Sequence, residues 1–278
     1  MRRVIGILFG VATHLVFAAT VWRLFLFLKP GVHPACGTLS AGSLWTDLAL
    51  AGQFVVVHSA LLHPAVRHRL EPYIGSAFYG CFFCLTTCAQ LWLAIALWRG
   101  GSQTLWQSRG PAAAALEAGF YGSWIALFYS LWLNGLGHQT GWTPWWHWLR
   151  RRPAPRRQFA PRGAYRWLRH PVYLSFLGLI WLRPAMTLDH AILTSVWTPY
   201  IFIGSVLKDQ RMVFHLGDRY RDYQSRVTGY VGMPAGPLAR IPRAQRIPAP
   251  QAARGATAVV GVGPPSGAGA LKADHAFS

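Results

Sequence analysis

Apolar runs of bilayer length recur along this chain, and arginine dominates the loops between them. Val4 to Leu28 would rise ~37 Å as a helix, enough to cross a ~30 Å hydrocarbon core with some tilt. Ser43–Leu62, Ala77–Trp98 and Ala112–Leu133 repeat that length. Hydrocarbon offers backbone groups no water, so such runs must close their hydrogen bonds within helices. The first run follows Met1-Arg-Arg, but it is too long for a signal core and no small-residue cleavage site follows, so it reads as a span. His14, Asp47, Gln53, His58 and Glu117 interrupt the runs; His14 is expected to face other helices rather than lipid, and Asp47, Gln53 and His58 are candidate functional residues.

Composition supports this class. The chain is 53% apolar and 13% charged with 14 Trp among 278 residues, the balance of an integral membrane protein. A net charge of +19 raises nucleic acid as a partner. However, the arginines cluster between spans, where they set topology and meet anionic head groups. Membrane lipids, and no nucleic acid, are therefore the expected partners. Arg2-Arg3, Arg67 to Arg69, Arg150 to Arg169 and Arg211 to Arg226 all fall on one face if the chain crosses about six times, and the positive-inside rule makes that face cytoplasmic. Trp142, Trp145, Trp146 and Trp148 precede one basic cluster and mark an interfacial segment. A bacterial inner membrane is the expected location.

The fold class expected is all-α: a polytopic membrane helical bundle of about five to six membrane helices, ending in a helical hairpin. Residues 1–133 carry the N-terminal spans, and 134–234 form a catalytic-type region with the hairpin and a Tyr-rich cytoplasmic helix. The Pro/Ala/Gly-rich stretch 235–278 reads as a disordered tail. The hairpin arms are Val172–Leu182 and His190–Leu207, the first only ~17 Å long. Arg183 and Asp189 flank its turn and could pair there. Its two ends bring polar clusters, Arg162–Tyr173 and Lys208–Tyr223, to the same membrane surface. Three of the eight acids of the whole chain, Asp209, Asp218 and Asp222, lie in the second cluster.

Gly163-Ala-Tyr-Arg-Trp-Leu-Arg-His-Pro-Val-Tyr173 resembles the Gly-x-Tyr-x-x-x-Arg-His-Pro-x-Tyr motif of the integral-membrane methyltransferases. That superfamily includes isoprenylcysteine carboxyl methyltransferases, phospholipid methyltransferases, methanethiol S-methyltransferases and nurim/NnrU-like proteins. Met212-x-x-x-Leu-Gly-Asp-x-Tyr-x-x-Tyr-x-x-x-Val227 is similar to the family's following segment, and Leu133 to Trp148 with His58-Ser59 resembles the methanethiol/NnrU branch. The family's usual Glu-Glu pair reads Lys208-Asp209 here.

The resemblance implies an S-adenosylmethionine-dependent methyltransferase whose acceptor is a small thiol or a lipid-like group. On that reading Arg169 grips the donor carboxylate with its planar fork, and Asp209 takes the amino group or ribose. Tyr165, Tyr173 and Tyr220 offer π faces to the sulfonium or adenine. His170 donates to the donor, Gly163 permits the turn before Tyr165, and Pro171 fixes the backbone at the membrane entry. The replaced Glu-Glu pair favours an alternative, a non-catalytic scaffold of the nurim/NnrU type. A third reading, a haem-handling or transport protein built on His14, His58 and His63, is weakened because His58 and His63 point ~140° apart on one helix. No metal site is expected, and Cys81, Cys84 and Cys88 read as packing residues on one helix face; Cys36 is the remaining cysteine.

Overall fold

The structure, a computed structural model, describes residues 2–30, 41–101, 103–155 and 158–242. Cys36, Arg156, Arg157 and the tail beyond 242 lie outside the described residues. The long helices are α1 (Arg2–Leu28), α2 (Ala41–Leu62), α4 (Ser76–Leu97), α5 (Gly110–Leu133) and α9 (Leu188–Leu216). Shorter helices join them: α3 (Pro64–Ile74), α6 (Leu136–Gln139), α7 (Trp142–Leu149), α8 (Pro171–Trp181) and α10 (Asp218–Arg226). The expected all-α bundle is found.

Four helices are long and apolar enough to cross a membrane, over Arg3–Leu28, Gly42–Leu62, Ser76–Leu97 and Leu188–Leu216. Helix α5 matches them in length at 24 residues and packs along α8. Helix α8 has only 11 residues, so it reaches roughly halfway across, ~17 Å. Helices α1 and α4, α2 and α9, and α5 and α8 form the main pairs. Their shared core includes Leu28, Phe120, Leu179, Ile180 and Leu193, all essentially inaccessible. Gly178 lets α8 approach α5 closely, because a Cβ there would stand 2.1 Å from Ser123 Oγ. Hydroxyls inside the spans bond back to their own helix, Thr13 to Phe9 O, Thr20 to Val16 O and Ser205 to Ile201 O, and Thr20 also accepts from Trp92 Nε1 on α4.

Three local expectations change. Arg67 to Arg69 lie not in a loop but in α3, which starts because Pro64 suits a first helical turn and His63 Nδ1 accepts from Ala65 N. The stretch before α5 contains a strand, β1 (Thr104–Gln107), antiparallel to β2 (Ala185–Thr187) in the hairpin turn. The packed chain does not stop at 234: Leu238 and Ala239 are buried.

The basic stretches meet at one end of the bundle. Arg3 donates to Leu149 O, Arg211 to Leu62 O, and Tyr79 to Leu61 O. At the other end Asp47 Oδ1 accepts from Arg99 N, and Asp189 Oδ2 accepts from Trp98 Nε1. Arg183 Nη1 lies 2.7 Å from His190 Nδ1, and the Asp189 charge at the same turn also acts on the guanidinium. His58 lies against Thr87 and stacks on Phe54, while His63 caps α3, so the two serve separate structural ends.

Candidate functional site at the basic end of the bundle

The site starts at a turn. Gly163, at φ +54°, opens the 3-10 turn Gly163–Arg166, and a Cβ there would meet Tyr129 Oη at 2.5 Å. The turn sets Tyr165 against the end of α5, where its hydroxyl reaches Ser130 O. The chain then runs extended beside residues 228 and 229: Arg169 N donates to Thr228 O and His170 N to Gly229 O. Pro171, whose missing N–H costs nothing at a helix start, begins α8 and leaves Arg169 and His170 pointing into the protein.

Helix α9 supplies the opposing wall. It stays helical past Leu207, so Asp209 sits on a rigid rod rather than on a loop. Its carboxylate is nearly inaccessible and serves three neighbours. Arg169 Nη2 lies 3.2 Å from Oδ2, His170 Nε2 lies 3.2 Å from Oδ1, and Tyr220 Oη donates to Oδ1 at 2.5 Å. The two separate sequence clusters therefore converge on one carboxylate. Of the residues expected at the site, Arg169, His170, Asp209 and Tyr220 form this knot, Tyr173 lies beside it with its ring 5.6 Å from His170, and Gly163 and Tyr165 form the turn that leads into it.

Arg169 does more than pair. With a side chain fully withdrawn from solvent, its guanidinium also donates to Pro237 O and Ala239 O, each at 3.1 Å, and to Gln224 O at 3.5 Å. The fork thus faces protein acceptors and holds residues 228–241 as a strap across the site. Gly229 N donates to Leu238 O, folding the strap onto itself. Sequence reasoning missed the strap because its Pro, Gly and Ala content looks like a tail, and its contribution is carbonyl groups, which carry no residue signature.

Two further tyrosines complete the enclosure. Tyr223 Oη donates to Tyr165 O at 2.5 Å, closing α10 onto the turn. Tyr230, on the strap, pairs its hydroxyl with Ser205 Oγ at 2.6 Å and sets its ring 5.7 Å from His170. Burial holds the His170 imidazole below its ordinary pKa, only partly offset by Asp209, so the ring is neutral near pH 7. Burial, then the Asp209 charge, push the Tyr220 phenol far up, so it stays a donor. His170 Nδ1 is fully buried and has no hydrogen-bond partner.

Two concavities lie near the knot, neither lined by Arg169, His170, Asp209 or Tyr220. One, of about 450 Å³, is formed by strap residues, Thr228, Tyr230, Gly232, Met233, Pro234 and Arg240, and is linked to the knot through the Tyr230 ring, 5.7 Å from that of His170. The other, of about 560 Å³, is an apolar groove between α5 and α8 that ends at Ala164, Leu168 and Pro171, beside Tyr165 and His170.

Among known proteins, the chain is 28% identical over 236 residues to methanethiol S-methyltransferase 1 of Bradyrhizobium diazoefficiens, covering 81% of each. It is 26% identical to the methanethiol S-methyltransferase of Mycobacterium tuberculosis, over 82% of this chain and 96% of that one, and 26% identical to the one of Pseudomonas deceptionensis, over 73% and 76%. The chain resembles the integral-membrane methyltransferases, in their methanethiol branch. No family model matches. No solved structure matches. The similarity covers 73 to 82% of this chain in these three relatives.

Proposed function

We propose that this chain is an S-adenosylmethionine-dependent membrane methyltransferase that methylates a small thiol, methanethiol being the acceptor named for its relatives, at the cytoplasmic face of a bacterial inner membrane. The observation that carries this reading is the convergence of Arg169, His170 and Tyr220 on Asp209 beside an open cavity at the Arg-rich end of the bundle.

The residues present fit the donor. Its carboxylate, ammonium, ribose and adenine need a cation, acceptors and an apolar or aromatic wall. The strap cavity offers Arg240 for a carboxylate, Thr228 for hydroxyls, and Tyr230 with Met233 for a ring face. The buried, unpartnered His170 Nδ1 points to a polar ligand at this place. Bound there, S-adenosylmethionine supplies an electrophilic methyl group on sulfur. Arg169 keeps the strap in place and holds Asp209 ionised beside a cationic ligand. Tyr165, Tyr173 and Tyr230 shield the site from water, which strengthens every electrostatic contact inside. The α5–α8 groove gives an apolar acceptor a way in from the bilayer.

A second reading has its own observation. The Arg169 fork is taken up by protein carbonyls, and Lys208 replaces a carboxylate of the family, as a scaffold that kept the fold without turnover would allow. One experiment separates the two. Detergent-purified protein is titrated with S-adenosylhomocysteine by calorimetry, then given S-adenosylmethionine and methanethiol with dimethyl sulfide read in the headspace. Micromolar binding with product formation is expected. A folded sample that binds no S-adenosylhomocysteine and makes no product is a scaffold.

A further inference from the structure

The α5–α8 groove has the depth of one bilayer leaflet. Its basic end lies at Ala164, Leu168 and Pro171, and its inner end at Trp181 and Leu182. Helix α8 covers that distance in 11 residues, ~17 Å, against ~15 Å for half of a hydrocarbon core. Trp181 Nε1 donates to Thr198 Oγ1 of α9 at 3.0 Å, which fixes the ring at the inner end.

The lining suits hydrocarbon. Gly119 and Gly178 bring α5 and α8 together at the floor, since a Cβ would stand 2.9 Å from Leu182 in one case and 2.1 Å from Ser123 Oγ in the other. Gly122 differs: a Cβ there meets nothing within 4 Å, so the groove is open at Gly122 and at Ala126 one turn on. Ser123 and Ser175 donate their hydroxyls to Gly119 O and Pro171 O of their own helices, and so require no polar occupant. Tyr129, Leu174 and Trp181 stand exposed along the rim, on the outer face of the bundle.

The mouth is cationic. Arg162 and Arg166 lie two residues to either side of Ala164 and are exposed. Neither side chain has a hydrogen bond or ion pair among the described residues. Trp167, beside them, is 79% exposed and is of the residue type that seats at head-group level. Two unpaired guanidinium groups and an interfacial indole thus stand at the mouth of an apolar groove one leaflet deep. The charge and the depth together match one kind of molecule.

We infer that an anionic phospholipid of the leaflet on the basic side binds here as a resident lipid, one acyl chain in the α5–α8 groove and its phosphate held by Arg162 and Arg166. The lipid is a bound component and not the methyl acceptor, so the inference stands apart from the methyl-transfer reading. Its chain supplies the outer wall beside the turn that carries Tyr165. That chain is fluid, and a small apolar acceptor dissolves in it, so the groove still serves as a way in.

The test uses full-length protein in detergent, given phosphatidylglycerol and phosphatidylcholine with the same chains, and read by native mass spectrometry with thermal unfolding beside it. The wild type is expected to retain one phosphatidylglycerol per chain after other lipid is stripped, and to melt higher in its presence. Gly122→Leu with Ala126→Leu fills the groove and is expected to lower retention of either lipid at least tenfold. Arg162→Gln with Arg166→Gln alters only exposed side chains and is expected to cut the preference for phosphatidylglycerol about tenfold. Arg151→Gln with Arg152→Gln makes the same charge change after α7 and is expected to leave that preference intact. Equal losses from the two arginine pairs would reduce the effect to general surface attraction and overturn the inference. So would undiminished retention in a folded groove-filled variant, a folded wild type that retains no lipid, or a dimer that the groove-filling pair dissociates. Where the leucine pair does not fold, the two arginine pairs decide. Retention is read without S-adenosylmethionine or methanethiol, so its failure leaves the methyltransferase reading untouched, and an inactive protein leaves the lipid site untouched.

Discussion

Tyr220 on α10 donates a 2.5 Å hydrogen bond to Asp209 on α9, and that contact closes the turn at Gly217 into a fixed corner. Gly217 adopts φ +53°, which lets the chain reverse directly after α9 ends. Removing the hydroxyl with Tyr220→Phe leaves Asp209 with Arg169 and His170 but one donor short. The expected cost is about 1–3 kcal/mol, the range for stranding a buried partner. Thermal unfolding in detergent checks this, and an unchanged midpoint would mean the corner is held by ring packing against Phe159 alone.

Asp209 and Arg169 form a buried pair, and such pairs respond asymmetrically to substitution. Asp209→Ala leaves an uncompensated guanidinium and is expected to destabilise by about 3–5 kcal/mol, whereas Arg169→Met with Asp209→Leu restores much of the loss by turning the knot apolar. The double variant should nonetheless fail to bind S-adenosylhomocysteine. Retained binding would show that the knot is structural and lies apart from the ligand.

Acidification should act through His170. Its folded pKa is lowered by burial, so the folded state takes up its proton later than the unfolded chain does. The stability this contributes is fully present above the ordinary value near 6.5 and declines as the pH falls below it. The difference in midpoint between wild type and His170→Asn is therefore expected to shrink from pH 7.5 to pH 5.5. A difference that is flat or grows would reverse the sign.

Gly141 tests how the interfacial segment docks. It adopts φ +80°, and a Cβ would sit 2.2 Å from Cys81 N on α4. Gly141→Ala should therefore separate α7 from α4 and lower expression and melting temperature sharply. Gly122→Ala, with nothing within 4 Å, should be close to silent. Equal effects from the two would mean that helix propensity, not close approach, governs both positions.

The strap cavity makes a ligand-specific prediction. Arg240→Ala is expected to weaken S-adenosylhomocysteine about tenfold with little change in stability, since the side chain is exposed. Calorimetry reads the first effect and thermal unfolding the second. A variant with wild-type affinity moves the carboxylate grip elsewhere.

Much of this was visible in the residues. Span lengths follow from hydrocarbon thickness, so α1, α2 and α4 fall within a few residues of the apolar runs. Arginine placement anticipated that the basic stretches would share one end, and the hairpin anticipated that the clusters holding Arg169, His170 and Asp209 would emerge on the same side. What was hidden has a common cause. The β1–β2 pair, the strap and the Tyr223 and Tyr230 contacts use backbone acceptors or lone hydroxyls brought together from distant positions. Such groups leave no periodicity to detect. The Lys208–Tyr173 contact was hidden for another reason: the rings that receive the ammonium lie in the first polar cluster and the ammonium in the second, some 35 to 43 positions on.

Arg169 fastens the strap through Ala239, which lies 70 residues downstream. Biosynthesis must therefore deliver α8 to the membrane well before the carbonyls that satisfy this guanidinium exist. During that interval the charge depends on water or lipid phosphate at the bilayer surface, and the site has no wall. A chain that stops short of residue 239 lacks one of the carbonyls that this guanidinium bonds, and the strap is then expected to sit loosely on the bundle.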